Sequence, residues 1–369
     1  MAHQYREAIT LHTLVTHFGE LLANIRPPQE RLDAATTLPP LVRTYLKNHE
    51  EFETLYPHSR LVGSYAQHLS AGDVKDVDFL VRVGGSPEDN DPPAKDLIKQ
   101  LKSALDALPD ALKHIGYANI ELDRARRSVH VYFPKDDFHL DVVPCIAPDE
   151  MDKPIWVPDR GYNKWIETHP LGVVNAVESL TKEHGENFRN MVKLLKHFRN
   201  VHMRTRKPKS YWLVTMGIQA VEEGYLELTQ PIAVVFADLL EHLHARFLPT
   251  FNRVDGATPH IQDPMLGHDI SWNWERSHFE TFMRRLDDGR KWADKAVTTD
   301  DKDVAINRWQ RIFGEDWFPS NVDRRAQSLA NVRQPGAAVV TGTGLILPTG
   351  TDGKTTPVPS TRYYGRRDG

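Results

Sequence analysis

Cysteine is almost absent from this sequence, which contains one such residue, Cys145. A single cysteine cannot form an internal disulfide or a cysteine-based zinc site, so nothing in the chain requires an oxidising compartment. Long hydrophobic runs are also lacking: no apolar stretch approaches the roughly 20 residues that span a bilayer, and no signal-peptide core is visible. We therefore expect a cytoplasmic protein without membrane contacts, in which Cys145 is a small buried apolar residue.

An excess of charge of either sign is missing too. The 46 basic and 50 acidic residues give a formal net charge of -4. This balance provides no overall attraction to nucleic acid, so binding of bulk DNA is not expected and any nucleotide must be held by a local patch. The 369 residues, 40% of them hydrophobic, are enough for two domains with a core each.

The pattern of apolar residues divides the chain into three parts. Residues 1–160 combine two N-terminal helices, predicted over 9–25 and 40–52, with segments whose period of two predicts strands. Residues 161–332 show helical periodicity almost throughout, and residues 333–369, rich in Gly, Thr and Pro, predict a flexible tail. The predicted helices of the second part lie near 171–180, 186–201, 210–222, 231–247, 271–297 and 301–315. The fold class is therefore α+β, with a β-containing half followed by an α-helical domain.

Three aspartates lie on two of the predicted strands. The segment KDVDFLVRV places Asp76 and Asp78 on one face and apolar residues on the other. In FHLDVVPCI, Asp141 likewise lies on the face opposite the apolar residues. Neighbouring carboxylates repel one another unless a cation joins them, and magnesium prefers oxygen ligands. The aspartates therefore indicate a site for two Mg²⁺ ions, with Mn²⁺ as a substitute, of the kind that serves nucleotidyl transfer. The alternative is an ordinary charged strand face.

A Gly-Ser pair, Gly63 and Ser64, precedes the first of these strands. A turn of this type lets backbone N–H groups and a hydroxyl approach triphosphate oxygens closely. Alone it would indicate an ordinary turn. Together with the carboxylates it indicates a phosphate-binding site.

These segments resemble a known family. LVGSYAQHLSAGDVKDVDFLVRV is similar to the hG[GS]…Dh[DE]h signature of the polymerase β-like nucleotidyltransferases, and FHLDVVP is similar to the strand that carries their third carboxylate. The resemblance implies a polymerase β-like core with a mixed β-sheet. It also implies that Asp76, Asp78 and Asp141 are the catalytic, metal-binding residues, and that Gly63 and Ser64 bind the nucleotide.

Two helical segments resemble one particular group of these nucleotidyltransferases. ENFRNMVKLLKHFRNVH predicts a buried apolar stripe with Lys196 on the opposite face, and KPKSYWLVTMGIQAV predicts a helix with Ser210 as its N-cap. Both are similar to segments of the cyclic GMP–AMP synthase and oligoadenylate synthase group and of the bacterial CD-NTases. In that group the lysine and the serine bind triphosphate and the adjacent aromatic residue stacks on a base. The resemblance assigns these roles to Lys196, Ser210 and Tyr211.

The same resemblance implies a function. The chain would join nucleoside triphosphates, such as ATP, into a cyclic di- or trinucleotide with release of pyrophosphate, and this product would act on a downstream effector in anti-phage (CBASS) defence. Two alternatives share the carboxylates: a nucleotidyltransferase that modifies a tRNA or a protein, and a catalytically silent binding module. The near-neutral charge disfavours the tRNA, and the intact triad disfavours the silent module.

The sequence ends in Gly369 after the Gly/Thr/Pro-rich segment. In some CBASS operons the CD-NTase is joined to target amines through its C-terminal carboxylate by an E1/E2-like partner. The resemblance therefore implies such a conjugating partner at Gly369, with a terminus that has no function as the alternative.

Overall fold

The computed structural model describes residues 13–72, 76–148, 151–205 and 207–322, together with three short strands further along. The helices are α1 (Val15–Asn24), α2 (Gln29–Lys47), α3 (Gly63–Ala66), α4 (Ala94–Leu105), α5 (Leu108–Leu112), α6 (Pro170–His184), α7 (Asn187–His202), α8 (Ser210–Glu222), α9 (Ile232–Phe251), α10 (Arg276–Thr298) and α11 (Lys302–Phe313). The strands are β1 (Ser59–Val62), β2 (Asp76–Val83), β3 (Glu121–Arg124), β4 (Val129–Phe133), β5 (Phe138–Ile146), β6 (Ile155–Asp159), β7 (Lys164–Thr168), β8 (Ala338–Thr341), β9 (Ile346–Pro348) and β10 (Thr355–Pro357).

A seven-stranded sheet forms the first half of the molecule. Its order is β1-β2-β5-β4-β3, with β6 paired to β5 and β7 paired to β6. Strands β2 and β5 run parallel, whereas the other neighbours are antiparallel, so the sheet is mixed as predicted. The parallel pair matters most for function because it makes the two aspartate-bearing strands direct neighbours.

Two large apolar cores lie on either side of the site. One packs α2 and α4 against the sheet and includes Val77 and Phe79, which are fully buried. The other is formed by the helices of the second half, and α1 joins it through Phe18, whose ring meets that of Trp309 at 4.9 Å. The first helix therefore packs with the helical half, although the predicted division of the chain groups it with residues 1–160.

Two parts of the predicted secondary structure differ from the structure. Helix α2 begins well before the predicted residue 40 and contains Pro39 and Pro40, because Leu38, Val42 and Leu46 recur at helical spacing and are buried in the sheet core. Their burial offsets the backbone hydrogen bonds that prolines cannot make. The strands β3, β6 and β7 were not predicted, and β7 lies where helix was expected, since its short alternation carries a weak signal beside long helical patterns.

Cys145 is fully buried, as predicted, and burial raises the pKa of its thiol to about 12. Within the described ranges no helix is both long and apolar enough to cross a membrane. The predicted tail, 333–369, falls outside the described residues except for β8, β9 and β10, which pair antiparallel in the order β10-β8-β9. Gly369, the predicted conjugation site, lies outside the described residues.

Candidate active site

The three predicted aspartates meet at the parallel strand pair. Asp78 lies directly opposite Asp141 in the register of β2 and β5, and Asp76 lies opposite His139. Asp76 is exposed and Asp78 is partly buried. The alternation predicted from the sequence therefore holds at these positions, and it turns all three carboxylates away from the sheet core.

The electrostatics of this cluster favour a cation. The pKa of Asp78 is raised to about 6 by burial and by the negative charges of Asp141 and Asp76. Burial also raises the pKa of Asp141. In the part of the chain that the structure describes, no three His, Cys, Asp or Glu side chains stand close enough to hold a metal ion. The oxygens of the three carboxylates are the donors that Mg²⁺ prefers, and a cation would offset their mutual repulsion, so the donor types fit that ion.

Gly63 is held against one of these carboxylates. Its φ of 71° is in the left-handed region, and a Cβ atom added there would overlap Oδ2 of Asp78 and lie 3.0 Å from Cγ. The contact arises because Val62, the preceding residue, pairs with Asp78 between β1 and β2. Both the turn and the neighbouring aspartate therefore require glycine at this position.

Ser64 is tied to the helical half by Lys196. The ammonium of Lys196 donates to Oγ of Ser64 at 3.0 Å and to the carbonyl of Leu69 at 2.7 Å. The lysine is 5% exposed, so at this position the face opposite the apolar stripe is buried rather than solvated. That face of α7 is covered by the segment after β1, and the lysine bonds to it. Burial lowers the pKa of Lys196 to about 7, and the positive charges of Arg199 and Lys193 contribute to this decrease.

Ser210 is bound by Arg199, which lies on α7 one turn after Lys196. Its Oγ accepts a hydrogen bond from Nη1 of Arg199 at 3.2 Å, and this guanidinium also donates to the carbonyl of Pro208 at 2.8 Å. The predicted N-cap role of Ser210 is wrong: α8 begins at Ser210 itself, Lys209 precedes it, and no side chain caps the helix. Because Lys196 and Arg199 are three residues apart on α7, they lie on one face, and Ser64 and Ser210 bind to neighbouring cations.

Tyr211 is fixed by a contact that the sequence did not reveal. Its hydroxyl donates to Oδ2 of Asp263 at 2.8 Å, while Oδ1 of the same carboxylate accepts from the backbone of Met265 and Leu266. Burial, followed by the bond to Asp263, raises the pKa of the tyrosine. The phenol is therefore held protonated, with its ring in one orientation.

His130 was also missed. It lies opposite Asp141 in the antiparallel pair β4–β5, and its Nδ1 contacts Oδ1 of that carboxylate. The segment RSVHVYF does place His130 on the polar face of its strand, but only the pairing of β4 with β5 shows that this face meets Asp141. One carboxylate oxygen is thus held by the imidazole, which orients the other.

Comparisons with known proteins show what this chain is similar to. The family profile of the Second Messenger Oligonucleotide or Dinucleotide Synthetase domain (SMODS) matches residues 13–180. The chain is 26% identical over 349 residues to the cyclic AMP-AMP-AMP synthase of an Acinetobacter strain, a match that covers 91% of this chain and 94% of that protein.

Two solved structures share the fold. One is CdnC of E. coli MS115-1 in a complex with HORMA-deltaN: it is 17% identical, and the match has a TM-score of 0.64 and covers 85% of this chain and 99% of that one. The other is CdnG of Bradyrhizobium diazoefficiens in complex with GTP: it is 16% identical, and the match has a TM-score of 0.64 and covers 82% and 96%. The chain is therefore similar to CD-NTases of the cGAS/DncV type, through the SMODS match over residues 13–180 and through its fold.

The replacement Lys196→Met tests the role of the buried ammonium. The ordinary pKa of lysine is 10.5 and that of Lys196 is about 7, so between these values the unfolded chain binds more protons than the folded one. The free energy of unfolding therefore rises with pH across this window. We expect Lys196→Met to remove that rise, measured as Tm at pH 7 and pH 9. We also expect the apparent KM for nucleoside triphosphate to increase about tenfold, because Ser64 loses its partner.

A matched control is Lys47→Met, which removes an exposed lysine from the last turn of α2. It should change neither the pH dependence of Tm nor KM. If Lys196→Met also left the pH dependence of Tm and the KM unchanged, Lys196 would neither support the Gly63-Ser64 turn nor contribute to nucleotide binding.

Proposed function

We propose that this protein joins nucleoside triphosphates into a cyclic di- or trinucleotide, releases pyrophosphate at each transfer, and in this way signals to an effector in anti-phage defence. One observation carries the proposal: the paired Asp78 and Asp141 lie beside the Gly63-Ser64 turn, which Lys196 holds from the helical half. The Acinetobacter cyclic AMP-AMP-AMP synthase supports ATP as a substrate and a trinucleotide as the product.

The proposed mechanism assigns a task to each part of the site. Asp76, Asp78 and Asp141 would hold two Mg²⁺ ions, which neutralise the triphosphate and help to activate the attacking hydroxyl when bound. The Ser64 hydroxyl and the backbone of its turn bind the triphosphate, and Tyr211 offers its fixed ring to a base. A 2′- or 3′-hydroxyl oxygen attacks the α-phosphorus, the bond from that phosphorus to the bridging oxygen breaks, and pyrophosphate leaves.

Asp141 has a second task in this mechanism, in addition to binding the metal. Asp141 faces the space beside Asp78, so it orients the attacking hydroxyl by accepting a hydrogen bond from it. His130 holds Oδ1 of Asp141 and therefore leaves Oδ2 for the hydroxyl or the metal. We expect His130→Ala to lower kcat about tenfold with little change in KM, because the carboxylate would remain but lose its fixed orientation. Asparagine, which retains a donor near the position of Nδ1, should restore part of the rate.

The test of the function is a reaction of the purified protein with all four nucleoside triphosphates, with the products identified by mass spectrometry. We expect pyrophosphate release and a cyclic product that contains adenosine. Transfer of labelled nucleotide only to added tRNA or protein would instead establish the alternative transferase. Nucleotide binding without any turnover would indicate a silent binding module.

Metal dependence is a separate expectation. Because a triphosphate beside three aspartates is strongly repelled without cations, EDTA should abolish pyrophosphate release, and excess Mg²⁺ or Mn²⁺ should restore it. The EDTA-treated protein should retain its circular-dichroism spectrum, which separates loss of metal from loss of fold. Full turnover in the chelator would contradict a two-metal mechanism.

A further inference from the structure

Five cations form a band on the surface, which we term the cationic rim. Its members are Arg126, Arg127, Arg160, Lys164 and Lys209, all of them exposed. The first two lie in the turn between β3 and β4, the next two at the turn between β6 and β7, and the last directly before α8. In a chain with a net charge of -4, so many cations in one place require an explanation.

The two turns of the rim are built as one rigid unit. Asp159 is fully buried and accepts from Nε of Arg126 at 2.9 Å, and its carboxylate lies 3.4 Å from Nε of Arg127. The same aspartate accepts from the backbone N–H of Gly161 at 3.0 Å. The backbone N–H of Arg160 donates to the carbonyl of Arg126 at 3.0 Å. Asp159 therefore holds both guanidinium groups, although the side chains of Arg126 and Arg127 remain 55% and 51% exposed.

The positive charge of the rim exceeds what the buried carboxylate neutralises. Asp159 supplies one negative charge to two arginines. The pKa of Lys209 is lowered by desolvation and then by the charges of Arg127 and Arg126. Tyr162, 60% exposed, has the guanidinium of Arg126 4.6 Å from its ring centroid and the ammonium of Lys164 at 5.4 Å. The rim thus presents several cations and an aromatic ring, and the two arginines share the single negative charge of Asp159.

The rim residues adjoin, along the chain, two segments that contribute to the candidate active site. On the sheet side, Arg127 precedes His130 on the hairpin that brings the imidazole to Asp141. On the helical side, Lys209 precedes Ser210, which Arg199 holds.

We propose that the cationic rim holds the phosphates of the linear oligonucleotide intermediate while it is repositioned for ring closure. The proposal rests on the proposed function: a cyclic product requires a linear precursor, with a 5′-triphosphate and a free hydroxyl, that must turn within the site before it closes. Such a precursor carries more phosphates than a single nucleoside triphosphate. Fixed guanidinium groups, ammonium groups on exposed lysines and an exposed tyrosine suit phosphate oxygens and an unstacked base.

The test uses Lys164→Glu combined with Lys209→Glu, which leaves the Arg126–Asp159–Arg127 unit intact. The control is Lys47→Glu, a charge reversal on the exposed last turn of α2. One measurement is the ratio of linear to cyclic product at equal pyrophosphate release, by chromatography and mass spectrometry. The other is the Kd of linear 5′-triphosphorylated diadenylate, in both linkages, without divalent cations and at two salt concentrations.

We expect the double variant to lower the cyclic fraction and to weaken diadenylate binding, each about tenfold, with a smaller salt dependence than the wild type. The control should match the wild type. If the double variant lacks a thermal transition, Lys209→Ala and Lys164→Ala are measured singly, and each should shift the ratio in the same direction.

Three results are decisive. Unchanged product ratio and unchanged diadenylate affinity would overturn the proposal. So would an unchanged ratio combined with weaker binding of a long DNA or RNA duplex, since the rim would then serve a nucleic acid. Absence of turnover in the wild type would refute the proposed function instead, and the affinity measurement would still report on the rim.

Discussion

The double replacement Asp76→Asn with Asp78→Asn is expected to abolish pyrophosphate release, with a loss of at least about 10⁴-fold in kcat. Both carboxylates face away from the core, whereas Val77 between them is fully buried, so the fold should persist. A matched control removes two exposed carboxylates elsewhere, Asp106→Asn with Asp110→Asn, and should retain wild-type turnover. Undiminished synthesis by the folded double variant would show that the reaction occurs at another site.

The single variant Asp78→Asn separates catalysis from stability. The pKa of Asp78 is about 6 in the fold against an ordinary value of 3.8, so the folded chain binds more protons than the unfolded chain between these values. The carboxylate therefore destabilises the fold increasingly as pH rises from about 4 to 6, and fully above that window. In EDTA at pH 7 we expect Asp78→Asn to raise Tm while it removes activity. The gain in Tm should shrink as the pH falls towards 4.

A decrease in the Tm of Asp78→Asn would indicate a different role for this carboxylate. If Asp78→Asn lowered Tm in EDTA at pH 7 and turnover stayed normal, the carboxylate would be a structural hydrogen-bond acceptor. Loss of the gain in Tm when Mg²⁺ is added would, in contrast, support the metal site, because the ion stabilises only the aspartate form.

Much of the site was predictable because it depends on local pattern. A strand shows its two faces by alternation, so Asp76, Asp78 and Asp141 could each be placed on a polar face from neighbouring residues alone. The long helices of the second half were likewise predicted with small errors at their ends, since their apolar periodicity extends over several turns.

The remainder depends on contacts between distant parts of the chain. Lys196 follows the spacing of an exposed helical face, and only the packing of α7 against the segment after β1 buries it. Tyr211 and Asp263 are far apart in sequence, and nothing local in either residue indicates the other. Pro39 and Pro40 show the same principle for secondary structure: a local signal to end the helix was overridden by burial of its face against the sheet.

The replacement Gly63→Ala is expected to have the second largest effect, because it adds two penalties at one position. An alanine is strained at a φ of 71°, which costs about 1 kcal/mol of stability. Its methyl group would also overlap the carboxylate of Asp78, so that side chain or the turn must move. Since both groups belong to the proposed site, we expect kcat/KM to fall by at least about 10²-fold, because small displacements of reacting groups are costly.

The control for this prediction is Gly224→Ala, which has nearly the same backbone conformation without the collision. Gly224 follows α8 with a φ of 73°, and no atom lies within 4 Å of the position that its Cβ would occupy. Both variants should therefore lose a similar amount of stability from backbone strain, measured as ΔTm, but only Gly63→Ala should lose activity. The further replacement Asp78→Ala should raise Tm more in the Gly63→Ala background than in the wild type, since only there does it also remove the atom that the methyl group meets. If Gly63→Ala kept its activity, or if the second replacement raised Tm no more than it does in the wild type, the close approach of the turn to Asp78 would not be what requires glycine there.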